Sequence, residues 1–296
     1  MSAVTGSPKI SIIIPTYNRA VLIMEAIESV CKQTYSNWEL LIIDDCSQDN
    51  TEELIRSKDD ERIFYYKTDK RIGIEETRNV GLQKASGELI AFMDSDDLWA
   101  VTKLEKQVVA MQQYPEAGFC LTGGYNFKKI NEPVAWFYKQ REGIKYENVF
   151  IDFFESKVAV TMPTLMVRKD CLRSAGVFRG DGTLDLFLDL AKNFKAVILY
   201  EPLFFRRLHA ENYSMLNAEK GHLEGVEMAK KYESSLPPKV YHGFLFNTHI
   251  NFGEKCLLHE QRKKAINQFF RAWMNKPLSI IPPRKIAKSI FSGMRK

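Results

Sequence analysis

The strongest constraint on the fold is a set of short apolar runs that each break off abruptly into polar residues. The strand candidates Ile10–Ile14, Glu39–Ile43 and Leu89–Met93 are dominated by Ile, Leu and other large apolar residues, in continuous rather than alternating runs. Runs of this kind read as strands buried on both faces, as a parallel sheet covered by helices requires. Ile63–Tyr66 and Gly118–Thr122 add two further candidates, and helical patterns fall between them at about 20–32, 50–57, 75–85 and 101–113. This alternation over residues 9–122 predicts an α/β domain with a mostly parallel central sheet flanked by helices.

Residues 123–160 lack that rhythm. They carry Tyr125, Phe127, Trp136, Phe137 and Tyr138 among charges, which predicts a long insertion over one end of the sheet. Thr161–Val167 and Ala196–Tyr200 are further strand candidates, and Cys171–Phe178 and Leu184–Phe194 helical ones. Beyond residue 214 the chain reads as mainly helical, with a break at Leu236-Pro237-Pro238. The expected division is a domain over 1–215, in halves 9–122 and 123–215, followed by a helical, basic C-terminal extension over 216–296.

Hydrophobic residues make up 45% of the chain, which supplies a real core and excludes a disordered profile. No apolar run approaches the ~18 residues of a spanning helix. Met1–Pro8 lacks the basic start and apolar stretch of a signal peptide. The 5 cysteines are scattered and form no CxxC pair, which favours reduced thiols in a cytoplasmic compartment. The net charge of +5 is unevenly placed: Gln261–Lys296 holds ten Lys/Arg and no Asp/Glu, leaving 32 basic against 37 acidic residues before it. A basic tail on an acidic body points to an anionic surface and gives no reason to expect nucleic acid on the body. In Pro282–Phe291, the side chains of Ile286, Ala287, Ile290 and Phe291 fall on one helical face, flanked by Arg284, Lys285 and Lys288. That pattern reads as a short anchor on the inner face of the plasma membrane, or as a helix packed on the domain.

The chemistry sits at the strand ends. Asp94-Ser95-Asp96-Asp97 follows Leu89–Met93, and charges so close to a buried strand are costly unless something positive binds there. Carboxylates one residue apart suit a hard divalent cation carrying a phosphate-bearing substrate. Pro15-Thr16-Tyr17-Asn18-Arg19 and Asp44-Asp45-Cys46-Ser47 end two other strands. Parallel strands bring their carboxyl ends to one edge, where α/β proteins bind ligands, so the three clusters should share a crevice. There Tyr17 can line a base and Asp45 can accept from a base or ribose, although Thr16 and Asp44 as turn residues and Asp49 or Asn50 as a helix cap are the structural alternatives. Gly73–Gly81 adds a helix whose Arg78 and Asn79 could reach diphosphate or ribose. No Walker loop and no GxGxxG turn occurs, which disfavours a dinucleotide-dependent oxidoreductase.

In the order PTYNR, IDDCSQDNT, GIEETRNVGL and GELIAFMDSDDLW, the chain resembles the inverting family 2 glycosyltransferases of bacterial surface-polysaccharide type, strongly over about residues 9–122 and more weakly to about 215. The resemblance implies the GT-A fold and transfer of a sugar from a nucleotide diphosphate, most often a UDP-sugar, to a hydroxyl of a glycan or lipid-linked acceptor, with Mn²⁺ or Mg²⁺ as cofactor. It implies a donor site drawn from Pro15, Thr16, Tyr17, Arg19, Asp44, Asp45, Arg78, Asp94, Ser95, Asp96 and Arg207. It also implies a metal held by Asp94, Asp96 and His209. Where the family carries a Glu-Asp pair before an Asp-Leu, this chain has Gly182-Thr183 before Asp185-Leu186, leaving Asp181 as the expected base or as a helix cap. Asp97, Trp99 and the aromatics of 125–138 line the acceptor or fill the core. The missing pair leaves a catalytically silent nucleotide-sugar-binding subunit as the alternative. A sugar nucleotidyltransferase is less favoured, since no glycine-rich, Arg/Lys-bearing loop follows the first strand.

Overall fold

A computed structural model describes residues 6–130, 132–138, 141–176, 178, 183–209 and 217–291. Contacts divide the chain into two compact units: Met1–Phe150 with Ala159–Leu208, and Ile151–Val158 with His209–Lys296.

The first unit begins β1 (Ile10–Thr16), α1 (Ala20–Cys31), β2 (Trp38–Asp44), α2 (Thr51–Arg56), β3 (Ile63–Lys67), α3 (Ile74–Lys84) and β4 (Leu89–Phe92). β1, β2 and β4 are buried along their whole length, as their predominantly apolar sequences require, with Ser11 and Glu39 buried among them. α1 covers them with Ala20, Ile23, Ala26, Ile27 and Val30, one stripe at helical spacing. The strands lie in the order β3-β2-β1-β4, all parallel. Thr16 is level with Asp44 and Asp44 with Lys67, so these carboxyl ends form one edge. Pro15 is tolerated in a central strand because β4 pairs with β1 only as far as Ile13↔Phe92, so no donor is missed beyond that point.

Beyond β4 the sheet becomes mixed. The chain continues through β5 (Leu98–Trp99), α4 (Lys103–Gln113), β6 (Ala117–Phe127), β7 (Pro133–Trp136) and β8 (Ile144–Glu147). After α5 (Phe150–Phe154) come β9 (Met166–Arg168), α6 (Lys169–Ala175), α7 (Thr183–Asn193) and β10 (Lys195–Arg207). β9 lies between β4 and β6, antiparallel to both. It is shorter than the run Thr161–Val167 suggests, because Pro163 sits in a 3₁₀ turn over Met162–Thr164. The segment 123–160 is more ordered than its irregular pattern suggests. β7 pairs with β6 and β8 with β10, each short and largely exposed, which is why neither shows an apolar signature. β10 outruns its apolar core Ala196–Tyr200 by pairing with β6 through irregularities around Pro202. A Cβ on Gly123 or Gly124 would strike the backbone of Tyr200 or Phe204, so this close crossing needs glycine.

The second unit holds α8 (Ala218–Lys231), α9 (Pro238–Leu258), α10 (Arg262–Asn275) and α11 (Ile281–Phe291). Pro238 opens α9 at a position where its missing N–H costs nothing. Phe246, Ile250, Phe252 and Cys256 of α9 pack on Ala265, Phe269 and Ala272 of α10, and Ile286 of α11 packs against that cluster. Of the face foreseen on α11, Ile286 packs on the bundle and Ala287 is exposed, while the side chains of Ile290 and Phe291 lie outside the described residues. No described helix is long and apolar enough to cross a membrane.

Candidate active site

The carboxyl edge of β1, β2 and β4 gathers the residues foreseen at the three strand ends, and it does so by backbone hydrogen bonding before any ligand is considered. Asp44, fully buried at the end of β2, accepts from the Ser47 N–H at 2.7 Å and the Tyr65 hydroxyl at 2.6 Å. Its carboxylate thus builds the turn, and it is not available to a nucleotide as foreseen; the turn-residue alternative holds for it. Asp45, 5% exposed, accepts from Ile72 N–H at 2.7 Å and Gly73 N–H at 3.1 Å, bracing the loop into α3 from below. Gly73 makes that entry at φ 90°, a conformation L side chains rarely adopt.

After β1, Thr16 is buried and its hydroxyl has no hydrogen-bond partner among the described residues. The Tyr17 ring carries Arg71 at 3.8 Å from its centroid, and Arg71 Nε approaches Asp45 at 3.9 Å. Arg71 is a residue that sequence reasoning missed, because a lone charged residue in a loop has no signal of its own. Asn18 at φ 49° accepts from Gln48 N–H at 2.8 Å, and Arg19 N–H donates to Thr51 Oγ1 at 3.2 Å. Asp49 accepts from Thr51 N–H and Ala20 N–H, so it caps α2 and braces α1 together.

On α3, Arg78 is 3% exposed and donates from Nη2 to Asp94 Oδ1 at 2.9 Å. Asn79 does not reach toward a ligand. Its amide exchanges two hydrogen bonds with the Phe178 backbone, at 2.8 and 2.9 Å, and ties that loop to the helix.

After β4 the carboxylates crowd. Burial raises the pKa of Asp94, with Asp96 adding to it and Arg78 opposing. Burial pushes Asp97 well above the usual carboxylate range, with Asp94 and Asp96 adding further, while the Arg207 N–H that it accepts at 2.9 Å works the other way. Arg207 also donates through Nε to the Asp96 carbonyl at 3.1 Å and through Nη2 to Glu25 Oε2 at 2.5 Å. The end of β10, α1 and the carboxylate turn are thereby knotted together, with Glu25 a second residue the sequence did not flag. Ser95 is buried within the turn.

This donor set fits a hard divalent cation: oxygen donors only, mutually repelling, and partly withdrawn from water. Among the described residues no three His, Cys, Asp or Glu side chains are gathered to hold a metal. Asp94, Asp96 and His209 are therefore not gathered as a three-ligand set among the described residues. A cation that takes its other ligands from phosphate needs only one or two carboxylates.

Asp181 lies outside the described residues. Trp99 departs from the acceptor platform foreseen for it. It is 3% exposed, its indole N–H donates to the Pro163 carbonyl at 3.2 Å, and Lys103 Nζ sits 4.0 Å from its ring centroid. Asp97, 3% exposed and bound to Arg207, is likewise internal to the turn. Tyr125 is better placed. It stacks on Phe205 at 4.6 Å, contacts Trp136 at 5.1 Å, and helps line an open cavity of about 350 Å³ with Glu25, Glu28, Lys32 and Phe127.

The family model described as Glycosyl transferase family 2 matches residues 11–171. WfgD of Escherichia coli, named a UDP-Glc:alpha-D-GlcNAc-diphosphoundecaprenol beta-1,3-glucosyltransferase, is 47% identical over 204 residues, which cover 69% of this chain and 66% of WfgD. TuaG of Bacillus subtilis (strain 168), a putative teichuronic acid biosynthesis glycosyltransferase, is 33% identical over 176 residues, covering 55% of this chain and 69% of TuaG. An uncharacterized glycosyltransferase of Rickettsia felis is 41% identical over 159 residues, 53% of this chain, but the match spans only 25% of that protein. Among solved structures, S. aureus TarS 1-349 superposes with a TM-score of 0.65 at 20% identity, covering 91% of this chain and 81% of TarS 1-349, a likeness of fold.

Proposed function

The chain belongs to glycosyl transferase family 2 and has its GT-A fold, and from that premise we propose that it moves a sugar from a UDP-sugar to a hydroxyl of a lipid-linked glycan, in an inverting, metal-dependent reaction of surface-polysaccharide synthesis. The observation that carries the proposal is the junction of Arg78, Asp94 and Asp96 with the Asp45-braced loop at a single sheet edge. The 47% identical relative is named for a UDP-glucose donor and a diphosphoundecaprenol-linked acceptor, so UDP-glucose is the first donor to test.

In this reading, Tyr17 with Arg71 stacked on it lines the base, and Thr16 supplies its unused hydroxyl. Asp45 acts by fixing the loop at Ile72 and Gly73. Arg78 meets the diphosphate from the buried side, and Arg207 holds the carboxylate turn in register. Asp94 and Asp96 would hold a divalent cation. Such a cation neutralises charge on the departing diphosphate as a Lewis acid. Direct displacement then requires a base for the acceptor proton, worth ~10²–10⁴-fold, and Asp181 is the carboxylate assigned to it. A lipid-linked acceptor brings the reaction to a membrane, and peripheral attachment through the basic C-terminal segment completes the reading.

The test is release of UDP from UDP-glucose and a panel of UDP-, GDP- and dTDP-sugars with Mn²⁺ or Mg²⁺ and a lipid-linked glycan acceptor. Release that disappears on chelation and in Asp96→Ala is the expected result. Asp181→Asn should retain UDP binding and lose transfer. Tight UDP binding without turnover on any donor would instead make the chain a silent binding subunit.

A further inference from the structure

α10 has two faces. Ala265, Gln268, Phe269 and Ala272 turn inward and are buried. Phe270, Trp273 and Met274 recur at i, i+3 and i+4 on the outer face and are 50%, 37% and 69% exposed. The chain then turns through Leu278, Ile280 and Ile281, which are 98%, 60% and 46% exposed. The two aromatic rings are held together, with centroids 6.1 Å apart, and the Trp273 indole N–H is fixed on the Pro277 carbonyl at 2.7 Å. A patch of six large apolar side chains within twelve residues is more than scattered exposure explains.

Its charge selects the occupant. Arg271, Arg284 and Lys288 are exposed within this stretch or just after it in the chain, and Gln261–Lys296 contains no Asp or Glu. Two further cations are paired across the bundle, Lys264 with Glu219 of α8 and Lys285 with Glu254 of α9. Aromatic and aliphatic side chains beside exposed cations match the boundary between headgroups and acyl chains of an anionic bilayer.

We propose that the outer face of α10 and the turn into α11, from Phe270 to Ile281, is the surface by which this protein lies on anionic lipid, with Trp273 and Leu278 entering the acyl boundary. This deepens the peripheral attachment included in the proposed function and rests on that part of it. It moves the contact from α11, whose Ile286 is committed to the bundle, to the corner before it.

The full chain is sedimented with phosphatidylcholine vesicles, with and without phosphatidylglycerol, over a salt series. Binding only to the anionic vesicles, weakening with salt, is expected. Trp273→Ser with Leu278→Ser should lower vesicle binding roughly tenfold or more without shifting the melting temperature, since both residues are outside the core. In a Trp136→Phe background, which removes the other exposed indole, Trp273→Phe should retain binding but lose the blue shift of tryptophan emission on vesicles, because Trp38 and Trp99 are buried in the other unit. Vesicle binding unchanged in the double variant overturns the assignment of this face. Absence of binding by the unmodified chain overturns membrane attachment altogether. Self-association that the double variant abolishes, without vesicle binding, makes the patch a contact between copies. UDP release with a detergent-dispersed acceptor reads the donor site separately, so failure of the donor reading leaves the vesicle result standing.

Discussion

Arg78 and Asp94 meet at 2.9 Å with the guanidinium 4% exposed and the carboxylate 34% exposed. The cation is thus anchored from inside the protein while its partner opens onto the crevice. Removing one member of a buried pair costs ~3–5 kcal/mol, and the partial exposure of Asp94 reduces that here to about 2 kcal/mol. Arg78→Ala should therefore lower unfolding free energy by about 2 kcal/mol in a urea titration and cut UDP affinity by roughly tenfold or more in calorimetry. Loss of stability with unchanged UDP affinity would remove Arg78 from the donor site.

Asp45 takes two backbone N–H groups that nothing else among the described hydrogen bonds claims. Orphaning a donor costs ~1–3 kcal/mol where water is kept out. Asp45→Ala should speed amide exchange at Ile72 and Gly73 and weaken UDP binding, while amides of β1 and β2 stay protected. Unaltered exchange at those two positions would show that the loop holds its shape without Asp45.

Trp99 separates a packing role from an acceptor role. Its indole is buried against Lys103 and hydrogen-bonded to Pro163. Trp99→Ala should destabilise the fold by ~3–5 kcal/mol. Trp99→Phe should keep most of the stability and leave the KM for the acceptor unchanged. A large rise in that KM at normal stability would restore Trp99 to the acceptor site.

Two groups illustrate the acid limit. Burial beside His249 holds His222 down, from 6.5 to about 4, so the folded chain keeps it neutral while the unfolded chain protonates it. Its contribution is full above pH 6.5 and falls away as pH drops from 6.5 toward 4. Burial alone would raise Glu39, but Lys9, Ser11 and Ser86 bring it from 4.5 to about 2, so its contribution is full above 4.5 and is lost as pH falls from 4.5 toward 2. Acid melting curves should therefore lose stability in two windows. His222→Phe, stacking on Phe252 as the imidazole does at 4.3 Å, should reduce the loss in the upper window, which His249, also held down by burial, shares, and Glu39→Gln should reduce the loss in the lower.

The parallel half of the sheet was legible because its strands are buried on both faces, which leaves an unbroken apolar run and an abrupt polar end. The exposed strands β7 and β8 were not, since half-wet edge strands need no such run. The same physics divides the candidate site. A strand terminus can be read from local chemistry, and Asp45, Arg78 and the Asp94–Asp97 turn were all foreseen at one edge.

What each carboxylate does there could not be read from the chain. Asp44 and Asp45 are neighbours of identical chemistry, yet one closes its own turn on Ser47 and Tyr65 while the other braces a loop 27 residues away. Trp99 and Tyr125 are both aromatics near the crevice, and only tertiary packing buries the first and leaves the second beside a cavity. Sequence by itself determined the family, the sheet edge and the acidic turn, because periodicity and strand ends are local properties of the chain. Tertiary structure alone decided which polar groups remain available for a ligand, because that depends on hydrogen-bond partners contributed by distant segments.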